Sequence, residues 1–270
     1  VSPMVHGSIP VDGGNLLLST EDKAALLAKE PQAAPWIRPL LGADEFINGK
    51  ERWCLWFVGI QPQELRAMPE VMQRVMAAKE MRLASKKDVT VERAATAFLF
   101  AENRQPQSGH YILVPRVSSE RRTYIPMGFI DSNIISTDAN QMIPNATMYE
   151  FGVLESAMHM AWMRVVAGRL KSDYRYSATI VYNNFPWPDP NPKQQAAITT
   201  AAHKVLDTRA KYPSATLADL YDPATMPVDL LQAHRRLDLA VDAAYSKHKF
   251  TDDAARVTLL FELYQKLTRQ

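Results

Sequence analysis

The tetrapeptide Asp189-Pro190-Asn191-Pro192 separates two unlike stretches of sequence. Its two prolines discourage helix and sheet alike, since each lacks an amide donor and restricts the residue before it. Beyond this linker the spacing is helical throughout. Helices are expected over 193–211, 217–221, 227–245 and 252–269, with Pro227 suited to a first turn and Asp252 to an N-terminus. Before the linker, short apolar runs alternate with turn residues and a few amphipathic stretches. The expected fold class is therefore α+β. A mixed α/β domain would occupy residues 1–188 and a C-terminal helical bundle residues 189–270.

Within the first part, Asp12-Gly13-Gly14-Asn15 is a turn signal, and Ser19 or Thr20 is placed to cap a helix over 21–30 that Pro31 and Pro35 end. Asn48-Gly49 predicts a tight turn before a strand over 51–60. Residues 62–86 have helical spacing broken at Pro69, and the cations Lys79, Arg82, Lys86 and Lys87 are expected to form a solvated helix end. Strands are expected at 97–100, 110–114 and 123–125, followed by a polar loop over 130–147. The clearest helix spans 151–170, with Leu154, Met158, Ala161, Trp162 and Val165 on one face. A turn at 171–175 then leads to an expected strand over 178–182, which stops at Asn183-Asn184-Phe185-Pro186.

Composition narrows the function. A net charge of +2 does not fit a polybasic coat, so any nucleic-acid contact must come from a local patch. The single cysteine, Cys54, cannot form a disulfide within the chain; it reads as a core residue, and a reducing cytoplasm fits. No apolar run reaches the roughly 20 residues that span a bilayer. The sequence starts Val1-Ser2-Pro3-Met4, as expected of a piece of a longer protein. It contains no P-loop, G-x-S-x-G, H-E-x-x-H or paired C-x-x-C, and its six histidines are scattered without metal-ligand spacing. Glu155 and His159 read as a packing pair, and Asp44-Glu45 with Lys50 as turn chemistry. Neither a catalytic nor a metal residue is expected in this stretch.

Several segments taken together are more specific. They include Gly7-Ser8-Ile9-Pro10-Val11-Asp12-Gly13-Gly14, Arg38-Pro39-Leu40-Leu41-Gly42-Ala43-Asp44-Glu45-Phe46, and Val114-Pro115-Arg116-Val117-Ser118-Ser119-Glu120-Arg121-Arg122. Arg52-Trp53-Cys54-Leu55-Trp56, Met158-His159-Met160-Ala161-Trp162-Met163-Arg164, Gly168-Arg169-Leu170-Lys171-Ser172-Asp173-Tyr174-Arg175-Tyr176-Ser177 and Tyr182-Asn183-Asn184-Phe185-Pro186-Trp187-Pro188 complete the set. The chain resembles the C-terminal part of the MmeI-like family of fused DNA methyltransferase and restriction proteins. The resemblance implies a type II restriction-modification module that recognises double-stranded DNA. It also implies an upstream methyltransferase domain of the same parent chain that uses S-adenosylmethionine (SAM), and Mg if a nuclease is present. No cofactor is expected in this stretch itself.

A G·C pair offers two acceptors on guanine and an amino donor on cytosine, so a reader wants a cation beside a carboxylate. Lys171 and Asp173 supply these types, and they point the same way if the turn is extended. The resemblance implies base reading there, a second pair at Arg116 and Asp138, and a third location at Ala139 and Arg175. Other readings remain open from the residues alone: Lys171 and Asp173 as a surface ion pair worth about 0–1 kcal/mol, and Arg116 as a strand end. Lys86, Arg121, Arg122, Arg164 and Arg169 are the expected DNA-backbone contacts. A competing function is protein docking through the apolar tail residues Leu230, Leu231, Leu237, Leu239 and Val241.

Overall fold

A computed structural model describes residues 1–269. In chain order the elements begin with β1 (Val5–His6), β2 (Leu17–Leu18), α1 (Thr20–Lys29), β3 (Ile37–Leu41), α2 (Ala43–Asn48) and β4 (Trp53–Leu55). Next come α3 (Pro62–Arg66), α4 (Pro69–Leu83), α5 (Asp88–Glu92), β5 (His110–Pro115), β6 (Val117–Ser118), β7 (Gly128–Asp131), β8 (Ile135–Ser136) and β9 (Asn140–Pro144). The chain closes with α6 (Met148–Leu154), α7 (Ala157–Val166), β10 (Gly168–Leu170), β11 (Asp173–Arg175), α8 (Pro192–Arg209), α9 (Leu217–Tyr221), α10 (Val228–Tyr245) and α11 (Asp253–Thr268). Short sheets and a helical C-terminal third make this an α+β fold.

The chain forms two compact units. Among the described residues, the first comprises 1–5, 110–130 and 141–269; the second comprises 6–109 and 131–140. Residue 188 therefore does not divide the core of the first unit. Helices α8, α10 and α11 share that core with α6 and α7: Ile198, Ala202, Leu237 and Leu260 cluster with Phe151, Leu154, Met158 and Trp162. Leu230, Leu237 and Val241, expected as a docking face, are fully buried there, because α10 packs against α8; Leu239 alone of that set is strongly exposed, at 60%. Gly152 is required at the α6 contact, since a Cβ there would lie 2.9 Å from Ile198 and 3.0 Å from Ala202.

The second unit is built on a four-stranded sheet of order β2-β4-β3-β8, in which β3 runs antiparallel to β4 and parallel to β8. Ser19 caps α1 in a reciprocal capping box with Asp22. Pro69 separates α3 from α4, and the Glu30 carboxylate accepts the Glu70 and Val71 amides at the start of α4. Arg82 does not belong to a solvated helix end. It is fully buried, and its guanidinium donates to the carbonyls of Pro10, Val11, Arg93, Thr96 and Leu99. Burial also places Cys54 in the core and pushes its thiol pKa upward.

Other expectations fail for local reasons. The strand at 51–60 shrinks to Trp53–Leu55, because the chain turns at Gly59 with φ +89°. Gly49, at φ +64°, ends α2 as a left-handed C-cap instead of forming a hairpin turn. Residues 97–100 follow a 3-10 turn, and residues 123–125 are irregular. The expected loop at 130–147 contains β8 and β9, whose Asn140 and Gln141 are buried polar residues. The helix at 151–170 is two helices, broken at Glu155-Ser156, where Ser156 caps α7. Residues 178–182 form one π-helical turn; Ser177 O accepts the amides of Val181 and Tyr182, and Trp162 Nε1 donates to Val181 O at 2.9 Å.

Candidate nucleic-acid interface

Four of the proposed base-reading residues lie on or beside one small sheet of the first unit. Its strand order is β10-β11-β6, antiparallel throughout, with Arg169 opposite Tyr174 and Arg175 opposite Val117. Leu170 pairs with Asp173, so Lys171 and Ser172 form a two-residue hairpin loop. Lys171 has φ +56°, and a positive φ at the first loop position suits such a hairpin. The turn is therefore not extended, and Lys171 stands at the tip rather than in register with Asp173.

Strand alternation sorts the side chains. Tyr174 and Tyr176 are buried, whereas Asp173 is half-buried and Arg175 exposed on the other face. Tyr176 is fixed twice. Its hydroxyl lies 2.9 Å from His159 Nε2, and its amide donates to Arg116 O at 2.7 Å. Arg116 thus sits at the bend between β5 and β6, beside the end of β11. Burial lowers the His159 pKa to about 3, so the imidazole under the sheet is neutral at physiological pH.

The surrounding cations differ in how they are engaged. Arg121 pairs with Asp222 at 3.2 Å, while its side chain remains 71% exposed. Burial draws the Arg122 pKa below its usual value, and the nearby Asp173 and Asp222 carboxylates act in the opposite sense. Arg164 is tied inside the protein, donating to Asp253 at 2.6 Å and to Thr123 O at 2.7 Å. Arg169 donates to Ser172 O at 2.7 Å, and its guanidinium carbon lies 3.9 Å from the Tyr174 ring centroid. The Glu120 amide reaches Asp173 Oδ1 at 3.4 Å.

The other site residues belong to the second unit. Asp138 and Ala139 form the turn between β8 and β9, with Asp138 half-buried and Ala139 exposed; Asn140 N donates to Thr137 O at 3.0 Å across it. Lys86 is exposed in the loop between α4 and α5.

The first unit also holds a buried polar network that sequence reasoning missed. Glu155 accepts from the Met127 amide at 2.8 Å and from Arg209 at 2.7 Å, and Arg209 also donates to the Tyr221 hydroxyl. Tyr221 meets His234 at 2.9 Å, His234 stacks on Tyr124, and Tyr124 donates to Asp238 at 2.7 Å. Asp238 in turn accepts the Ala157 amide at the start of α7. Glu155 was visible as one member of a helical pair, but its partner lies in α8, beyond any local pattern. Among the described residues, no group of three or more His, Cys, Asp or Glu is placed to hold a metal ion.

The β10-β11-β6 sheet and the helical tail therefore share one core. The model of the MmeI target recognition domain matches residues 1–189, and that of the MmeI C-terminal domain matches residues 190–270. The chain belongs to the MmeI family. It is 38% identical over 269 residues to DNA methyltransferase A of Bacillus subtilis (strain 168), covering 99% of this chain and 30% of that protein. It is 46% identical to the type IIL restriction-modification enzyme MmeI, solved in complex with DNA, at a TM-score of 0.97; the match covers 100% of this chain and 36% of that one. The chain thus spans about a third of the length of these relatives.

Proposed function

We propose that this chain reads duplex DNA sequence for an attached restriction-modification enzyme, and so directs adenine-N6 methylation by a SAM-dependent domain of the same parent chain. The observation that carries this reading is the outer face of the β10-β11-β6 sheet. It presents Asp173 and Arg175 away from the core, with Lys171 at the hairpin tip and Arg116 alongside. A carboxylate next to guanidinium and ammonium groups is the donor and acceptor set a G·C pair requires.

In this reading Lys171 and Asp173 specify one base pair, Arg116 and Asp138 a second, and Ala139 and Arg175 form a third reading location. Lys86, Arg121 and Arg122 contact phosphates and set register. Arg164 and Arg169, proposed from sequence for the same task, already hold protein partners, as does the more exposed Arg121 with Asp222. The chain itself carries no chemistry; the parent is an adenine methyltransferase in the cytoplasm, with Mg serving any nuclease it has. The docking alternative loses most of its basis, because Leu230, Leu237 and Val241 are consumed by the core.

Selection of random-sequence duplexes by the purified chain tests the reading. One defined sequence should be enriched, with affinity falling as salt rises. Equal recovery of all sequences would refute it.

A further inference from the structure

Resting on that reading, we propose that Arg169 is a positioning residue for the Lys171–Asp173 turn, and so determines specificity without contacting a base. A residue with positive φ and an exposed side chain needs neighbours that hold it, and Lys171 at the hairpin tip is such a residue. Arg169 supplies the hold from three directions. It donates to Ser172 O at 2.7 Å, closing the loop from the β10 side. Its guanidinium carbon sits 3.9 Å over the ring of Tyr174, the residue directly opposite in the ladder. Its Nη1 also lies 3.5 Å from Glu120, the residue whose amide reaches the Asp173 carboxylate.

One guanidinium therefore touches the turn, the facing strand and the segment that orients Asp173. A lysine keeps the charge but not this set, because an ammonium has neither a planar face to stack nor a fork of donors. This separates positioning from phosphate contact, for which charge is what matters.

The test compares Arg169→Lys, Arg169→Ala, Lys171→Ala and Asp173→Asn with the parent chain. The probes are the duplex recovered by random-library selection and its single-base-pair variants, titrated across NaCl concentrations. Arg169→Lys should lose about tenfold in discrimination at the base pair whose reading Asp173→Asn also weakens, with other positions unchanged. Its slope of log K against log[NaCl] should match the parent. Backbone amide order parameters at 171–173, measured without DNA, should fall in the same variant.

If Arg169→Lys keeps both discrimination and turn order, while Arg169→Ala weakens all sequences alike and lowers the slope by about 0.9, Arg169 is a phosphate contact and the proposal is overturned. If Lys171→Ala and Asp173→Asn change no single position, base reading at the hairpin fails. The order parameters then still decide whether Arg169 holds the turn.

Discussion

Asp173 and Arg82 are both charged and unremarkable in sequence, yet they have opposite fates. Asp173 has one face toward solvent. Asp173→Asn should weaken discrimination at a single base pair by about tenfold and leave the rest intact, as competition between duplexes would measure. Exchanging the charges of Lys171 and Asp173 should change which base is preferred there. Arg121→Ala, by contrast, should weaken all duplexes alike and reduce the salt slope by about 0.9. Arg82 serves five carbonyls in the second unit. Arg82→Met would leave them buried without donors and should cost about 3 kcal/mol or more in urea unfolding. Sequence could not separate Arg82 from Lys86, because both follow the same basic pattern and only non-local carbonyls distinguish them.

At the level of elements, helices were the most legible, since their signals are local. Ser19 with Asp22, the break at Pro69, and the starts of α8 to α11 rest on residues within one turn of each other. Strands of two or three residues were less so, because a ladder partner far along the chain decides them: β6 exists by pairing with β11. The apolar run at 178–182 has strand composition, but Trp162 claims the Val181 carbonyl and the backbone coils. The charged turn at 171–175 was visible, whereas its hairpin tip and the buried tyrosines behind it were not. Close packing of α6 was also invisible, since Gly152 carries no pattern of its own. Gly152→Ala should destabilise the protein by about 1–3 kcal/mol, measured by thermal or urea unfolding, because the methyl would press on Ile198 and Ala202.

Across the whole molecule, the helical tail is a structural part of the first unit. A chain ending at residue 189 would lack Arg209 and leave the Glu155 carboxylate buried without its ion-pair partner. Such a truncation should show no cooperative melt, and Arg209→Ala in the full chain should cost about 3–5 kcal/mol. The same network predicts a pH dependence. Burial, opposed by the bonds from Tyr124 and Ala157, raises the Asp238 pKa from 3.8 to about 6. Between those values the folded chain holds a proton that the unfolded chain has lost, so Asp238 makes stability fall as pH rises. Asp238→Asn removes that slope. The variant should therefore gain roughly 2 kcal/mol relative to the parent as pH rises from 4 to 6, as paired unfolding curves would measure.

The alternation along β11 has a consequence for divergence. Under the proposed reading, residues that face DNA and residues that hold the strand occupy every other position, so each set can mutate with little disturbance to the other. Substitutions at Asp173 or Arg175 leave Tyr174 and Tyr176 anchored, and the sheet tolerates a new recognition sequence at little expense in stability. Descendants of such a chain can drift to new targets one letter at a time, each intermediate remaining a folded protein.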